Sequence, residues 1–204
     1  MPKKKLVSII ILLGVFNLNA QETSNITIRI APGALFDTDS KNLGISLDVE
    51  PKIKVSENAV IGLKFGLILN SQKFEISEDS PFSIDEEKDN AVISFVPTYD
   101  YYLNSNHIRP FFGIGIGYYL VSQIALANPS QGISDGEVNN QIGGLLRTGV
   151  ELGKIRFELA YNLIPKADIV IPNNQVIGTV DNSYLGLSIG FTIGGKRYEK
   201  QPQN

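Results

Sequence analysis

The chain has 204 residues, a formal charge of −3, no cysteine and a single histidine. Without cysteine there is no disulfide framework and no thiol chemistry, and one histidine alone cannot build a typical zinc site. The acidic balance argues against a nucleic-acid partner, and no metal or cofactor is expected.

Pro2-Lys3-Lys4-Lys5 makes a basic n-region, Leu6 to Phe16 an apolar h-region, and Leu18-Asn19-Ala20 a cleavage site before Gln21. Residues 1–20 are therefore expected to be a signal peptide, its apolar run too short to cross a membrane as a helix. No cysteine follows it, which speaks against a lipid anchor. The remainder suits one domain, a barrel over residues 21–193 and a polar tail over 194–204. It contains no apolar run approaching about 18 residues, so crossing by a helix is not expected.

Period-two alternation recurs along the whole remainder. Asn25–Ala34 sets Ile26, Ile28 and Ile30 against Thr27, Arg29 and Ala31. Leu43–Val55 sets Leu43, Ile45, Leu47, Val49 and Ile53 against Ser46, Asp48, Glu50, Lys52 and Lys54. Val60–Asn70 opposes Ile61, Leu63, Phe65 and Leu67 to Gly62, Lys64 and Gly66. Ala91–Leu103 opposes Ile93, Phe95, Tyr99 and Tyr101 to Ser94, Thr98 and Asp100. Ile108–Val121 follows, with Phe112, Ile114, Ile116 and Tyr118 opposite Arg109, Gly113, Gly115 and Gly117. In Gln141–Leu152, Ile142, Leu146 and Val150 lie opposite Gly143, Arg147, Gly149 and Glu151. Ile155–Ile164 places Phe157, Leu159 and Tyr161 opposite Arg156, Glu158 and Asn162. The last, Tyr184–Ile193, carries Leu185, Leu187, Ile189, Phe191 and Ile193 on one face. Ten alternating, uncharged residues match the roughly 9–11 that a tilted strand needs to cross a bilayer.

These eight segments are joined by short and long connections in strict alternation. Ser56–Ala59, Asn104–His107 and Gly153–Lys154 are short; Phe36–Asn42, Ser71–Asn90, Ala125–Asn140 and Pro165–Asn182 are longer. Short periplasmic turns and long extracellular loops give this rhythm in outer-membrane barrels, with both termini in the periplasm. Alternation alone does not say which face is inside, since a soluble lipocalin-like barrel would turn its apolar face inward. The glycines decide it: Gly62, Gly66, Gly113, Gly115, Gly117, Gly143, Gly149, Gly186 and Gly190 share the non-apolar face. On a solvated exterior they would only weaken the strands, whereas a narrow eight-stranded lumen has little room for side chains. The expected fold is an all-β, eight-stranded antiparallel up-and-down transmembrane barrel. Pro32, Pro51, Pro97 and Pro110 fall within strands that have no free edge, and a bulge is expected at Pro97.

The inward face then collects a charge network of Arg29, Asp48, Glu50, Lys64, Asp100, Arg109, Arg147, Glu151, Arg156 and Glu158, with Lys52 and Lys54 nearer the rim. Charges in so narrow a lumen must pair. The favoured expectation is a salt-bridged, largely closed interior, and the alternative is a narrow path for small solutes. Strand number excludes a wide porin. An enzyme of lipid modification, needing His and Ser near the outer rim, is a distant third: His107 falls in a short turn at the other end. The acidic run Glu75, Glu78, Asp79, Asp85, Glu86, Glu87 and Asp89 lacks the spacing of a calcium loop and is expected to be a solvated, mobile loop. The apolar residues of the last connection, Ile169, Val170, Ile171, Val176 and Ile177, are expected to form an outer hairpin.

With these residues in view, the chain resembles the small outer-membrane β-barrel family that includes OmpA/OmpX-type and OmpW-type proteins. Pro97-Thr98-Tyr99-Asp100-Tyr101-Tyr102, with Arg109-Pro110-Phe111-Phe112-Gly113-Ile114-Gly115, is similar to small barrels of the Bacteroidetes type of Gram-negative bacterium. Gly186, Ile189 and Phe191 resemble the C-terminal signal read by the barrel-assembly machinery, although Gly194–Asn204 follow here. The resemblance implies an outer-membrane address, with lipid, lipopolysaccharide and the assembly machinery as partners. It implies no activity. The expected role is structural or surface-interaction, non-enzymatic, with an unidentified extracellular ligand.

Overall fold

A computed structural model describes residues 25–36, 43–69, 73–76, 83–84, 91–121, 124–128, 132–171 and 175–195. The expected signal peptide and most of the expected tail lie outside them. In chain order the strands are β1 (Ile26–Phe36), β2 (Leu43–Lys54), β3 (Ala59–Leu69), β4 (Lys73–Ile76), β5 (Ser83–Ile84), β6 (Ala91–Tyr102) and β7 (Ile108–Val121). They continue as β8 (Ile124–Asn128), β9 (Gly132–Val138), β10 (Gln141–Leu152), β11 (Ile155–Leu163), β12 (Ala167–Val170), β13 (Val176–Asp181) and β14 (Tyr184–Gly194).

The eight long strands are those the alternation predicts. They close into one antiparallel barrel in the order β1-β14-β11-β10-β7-β6-β3-β2. Alternate residues point to opposite faces, so each strand sends one set of side chains in and one out. Outward go large apolar residues such as Ile28, Leu47, Phe65, Ile93, Ile114, Leu146, Leu159 and Ile189, all exposed. Ile116 is 71% and Ile142 68% exposed. A belt of this extent around the whole wall is far larger than the apolar patches soluble proteins leave in water, and it matches the band a barrel presents to hydrocarbon. The apolar face is therefore outside.

The prolines are accommodated without the bulge expected at Pro97. Pairing of β6 with β3 runs unbroken through Leu63↔Pro97. On the other side it lapses between Phe95↔Tyr118 and Thr98↔Gly115 and resumes in the same register. Pro51 interrupts β2–β3 between Val49↔Phe65 and Lys52↔Gly62, and Pro32 interrupts β1–β14 between Ile30↔Phe191 and Gly33↔Ser188. Proline withholds a donor from one neighbour only, so the ladder drops out locally without gaining a residue.

The six short strands form a second sheet, β4-β13-β12-β9-β8-β5. Its order repeats that of β14, β11, β10, β7 and β6, the long strands these elements adjoin, so the sheet prolongs that arc of wall. In the barrel β1 and β2 separate β14 from β3, whereas β4 pairs directly with β13. The hairpin expected in the last connection is present as β12–β13, with a register shift between Ile169 and Val170. Part of the acidic connection, expected to be mobile, is instead strand: Glu75 pairs with Thr179 in the β4–β13 ladder. Glu78, Asp79, Asp85, Glu86, Glu87 and Asp89 lie outside the described residues.

Candidate functional site: the barrel interior

The interior has two layers. Nearer the short turns it is charged, and each charge is delivered by strand parity. β2 presents Lys52, Glu50 and Asp48 inward; β10 presents Glu151 and Arg147; β11 presents Arg156 and Glu158. Arg147 is at the centre. Its Nη2 lies 2.7 Å from Glu50 Oε1, its Nε donates to Asp100 Oδ1 at 2.8 Å, and neither partner's side chain is exposed. Arg156 reaches Asp100 at 2.9 Å and Glu158 at 2.8 Å, while Arg29 bridges Glu50 at 2.7 Å and Glu158 at 2.6 Å. Thr98 donates its hydroxyl to Glu50 at 2.6 Å. These groups are dehydrated, so their pairing is obligatory: an isolated ion there would cost several kcal/mol.

All ten sequence-predicted residues face this interior, in three groups. Arg29, Glu50, Asp100, Arg147, Arg156 and Glu158 form the central mesh. Lys64 and Asp48 make a separate pair at 3.2 Å on its upper side. Arg109 and Glu151 make another, at 3.6 Å, toward the short turns. Tyr102 joins the latter to the mesh, donating to Glu151 at 2.6 Å and accepting from Arg156 at 3.1 Å. Lys52 lies deeper than the rim position its sequence place suggests: it is buried and 2.7 Å from Asp100. Lys54 is exposed. Phe111 lies under the Arg156 guanidinium at 3.4 Å, and Tyr102 under that of Arg109 at 4.0 Å, so aromatic faces complete the solvation of both.

Glycine makes the space. A Cβ on Gly113 would stand 2.9 Å from Arg147 Cγ, and one on Gly62 would stand 2.7 Å from both Glu50 Oε1 and Thr98 Oγ1. The mesh therefore occupies the volume those side chains would have filled.

Toward the long connections the interior is apolar, contrary to the expectation of a polar filling throughout. Leu35, Ile68, Val92, Val96, Leu145, Ala160 and Ile164 form one buried cluster with Tyr119 and Tyr184. Tyr119 donates to Asn162 Oδ1 at 2.9 Å. Sequence reasoning missed this layer, although a signal existed. Leu67-Ile68-Leu69 and Ala91-Val92-Ile93 are apolar on both faces, as strands buried on both faces are. Ala167, Ile169, Ile171, Ile177 and Val180 make a further apolar cluster in the second sheet.

His107 lies exposed in the turn before β7, its carbonyl accepting from Gly153 N at 3.3 Å. Gly153, at φ 60°, makes the neighbouring two-residue turn between β10 and β11. Gly186 faces inward, while Ile189 and Phe191 belong to the apolar belt. Among the described residues no group of three or more His, Asp or Glu is placed to hold a metal ion.

These features define a small transmembrane β-barrel with a filled interior. No family model and no curated protein matches the chain. Among solved structures, the outer membrane protein OprG from Pseudomonas aeruginosa aligns over 86% of this chain and 99% of its own, with TM-score 0.59 and 17% identity. Neisserial surface protein A aligns over 83% and 96%, with TM-score 0.46 and 13% identity. Ail of Yersinia pestis aligns over 83% and 97%, with TM-score 0.40 and 12% identity. The likeness to OprG establishes the fold, the closed eight-stranded antiparallel barrel of small outer-membrane proteins.

Proposed function

We propose that this protein is a non-enzymatic outer-membrane barrel whose lumen is a structural brace and whose second sheet is the surface it offers to the exterior. The observation that carries this reading is Arg147, unexposed at the centre of the lumen and bound to carboxylates from β2 and β6. A residue fixed in this way from both sides blocks the axis. The apolar cluster above it blocks the other half. With short turns in the periplasm, the sheet built from the long connections faces outward and lipopolysaccharide surrounds its base. Gly186, Ile189 and Phe191 are the segment offered to the barrel-assembly machinery. His107 falls at the end away from the long connections, which argues against acyl-transfer or hydrolytic chemistry at the outer rim.

Planar-bilayer recording tests the brace. The wild-type protein should give no stepwise conductance, and steady ohmic steps from it would overturn the reading. Proteolysis of intact cells tests the orientation: cleavage is expected only within 71–90, 125–140 or 165–182, and cleavage in the turns 56–59 or 104–107 would reverse it.

A second reading, a narrow route for small solutes, draws on a different observation. Both amide atoms of Asn182 are buried without a hydrogen-bond partner among the described residues, and so is the Nδ2 of Asn162, which lies beside Tyr119 of the apolar cluster. Unpartnered polar groups in an apolar interior suit a small bound molecule. Conductance or solute uptake that appears in Arg147→Ala and is absent in the wild type would show that the route exists and is held shut.

A further inference from the structure

We propose that the barrel is built as two four-stranded halves joined along two proline-interrupted seams, and that the lumen charge network is the clamp that holds the halves together. The order of the wall defines the halves. One is β14-β11-β10-β7, the other β6-β3-β2-β1, and they meet only at the β6–β7 and β1–β14 seams. Four strands lie between the seams on either side, so the seams are diametrically opposed.

The first half is continuous. Its ladders run without a gap from Ile155↔Phe191 to Asn162↔Tyr184, from Gly144↔Leu163 to Leu152↔Ile155, and from Gln141↔Tyr119 to Leu152↔Ile108. Both seams are interrupted, β1–β14 at Pro32 and β6–β7 at Pro97. Each proline lies on the outward face, and in hydrocarbon no water replaces the donor it lacks. A third gap, at Pro51, falls inside the second half between β2 and β3. It is spanned by the Lys64–Asp48 ion pair, which joins those two strands.

The network crosses between the halves. From the first half, Arg147 binds Glu50 at 2.7 Å and Asp100 at 2.8 Å, and Arg156 binds Asp100 at 2.9 Å. In the opposite sense, Arg29 of β1 binds Glu158 of β11 at 2.6 Å, and Tyr102 of β6 donates to Glu151 of β10 at 2.6 Å. A filling that served only to occupy volume could pair each charge with a neighbour on its own half. Here Arg147 and Arg156 reach across the lumen to the half that carries Pro32 and Pro97, and Arg29 reaches back from it. Backbone pairing is weak at the seams and side-chain pairing is strong between them. Releasing the clamp should therefore let the wall part at Pro32 and Pro97 before it parts elsewhere.

Hydrogen exchange on the full chain in lipid nanodiscs tests this. The reporting amides are Ile116 at one seam and Ile189 at the other, opposite Pro97 and Pro32, with Leu145 of the β7–β10 ladder and Leu159 of the β10–β11 ladder as controls. In Arg147→Ala the seam amides should exchange at least about ten-fold faster while the controls change less than about two-fold. Adding Pro97→Ala restores a donor at one seam only. It should slow Ile116 again and leave Ile189 fast. Glu50→Gln, which keeps the shape and removes one charge, carries the same test if Arg147→Ala does not fold. Acceleration spread evenly over all eight ladders, no acceleration at the seams, or a Pro97→Ala effect felt equally at both seams would overturn the proposal.

Discussion

The charged and apolar layers of the interior fill the same barrel by opposite means. Around Arg147, side chains from five strands meet as a mesh of oriented pairs, and glycines such as Gly62 and Gly113 make room for it. Around Leu145, Val96 and Tyr119, volume is filled by packing, and the polar groups are few. The mesh depends on each partner being present, because removing one strands another in a dehydrated site. The packed layer depends mainly on shape and can relax in part around a loss. One layer therefore supplies register and specificity, the other tolerance.

The largest expected effect breaks the mesh. Arg147→Ala leaves Glu50 and Asp100 short of a partner and should destabilise by about 3–5 kcal/mol, as buried charges left unpaired do. The folded, fast-migrating band on an unheated gel should then be lost at markedly lower urea. Next, Leu145→Ala in the apolar layer should cost about 2–4 kcal/mol by leaving a cavity. The readout is the urea midpoint, and the loss should be recovered in part by Leu145→Met, whereas Arg147→Met should recover nothing. Tyr119→Phe removes one hydrogen bond to Asn162 and should cost about 1 kcal/mol, measured the same way. The smallest effect sharpens the contrast between faces. A Cβ at Gly144 would meet only Leu163 Cβ at 3.9 Å, so Gly144→Ala should lie within about 0.5 kcal/mol of wild type. Gly113→Ala, directed into the mesh, should shift the midpoint as far as the loss of a network charge does. Equal effects at Gly144 and Gly113 would contradict the assignment of faces.

The barrel was legible in the sequence because its signal is periodic and long. Segments such as Leu43–Val55 alternate over a dozen residues, and strand parity fixes the network once the apolar face is placed outside. The second sheet was largely illegible. β4 has four residues and β5 two, too short for any period to emerge, and the β12–β13 hairpin carries a register shift. What makes them strands is pairing across different connections, β4 with β13 and β9 with β12, which no local pattern records. The apolar layer escaped for another reason. Leu145 sits beside Leu146 and Ile68 between Leu67 and Leu69, so inward and outward residues are chemically alike and alternation goes silent. Pro97 misled because a missing donor was equated with an extra residue.

The closing contact between β1 and β14 joins Ile28 to Ile193, nearly the whole chain apart, and Arg29 finds Glu158 only after β11 has been made. The wall cannot close early, and contacts so distant in sequence form slowly. Until closure the future lumen is an open face. On it Arg29, Glu50, Lys52, Asp100, Arg147 and Arg156 are hydrated ions, which repay water contact and discourage the sheet from stacking on copies of itself. The same side chains that brace the finished barrel thus keep the unfinished one soluble on its way to the membrane.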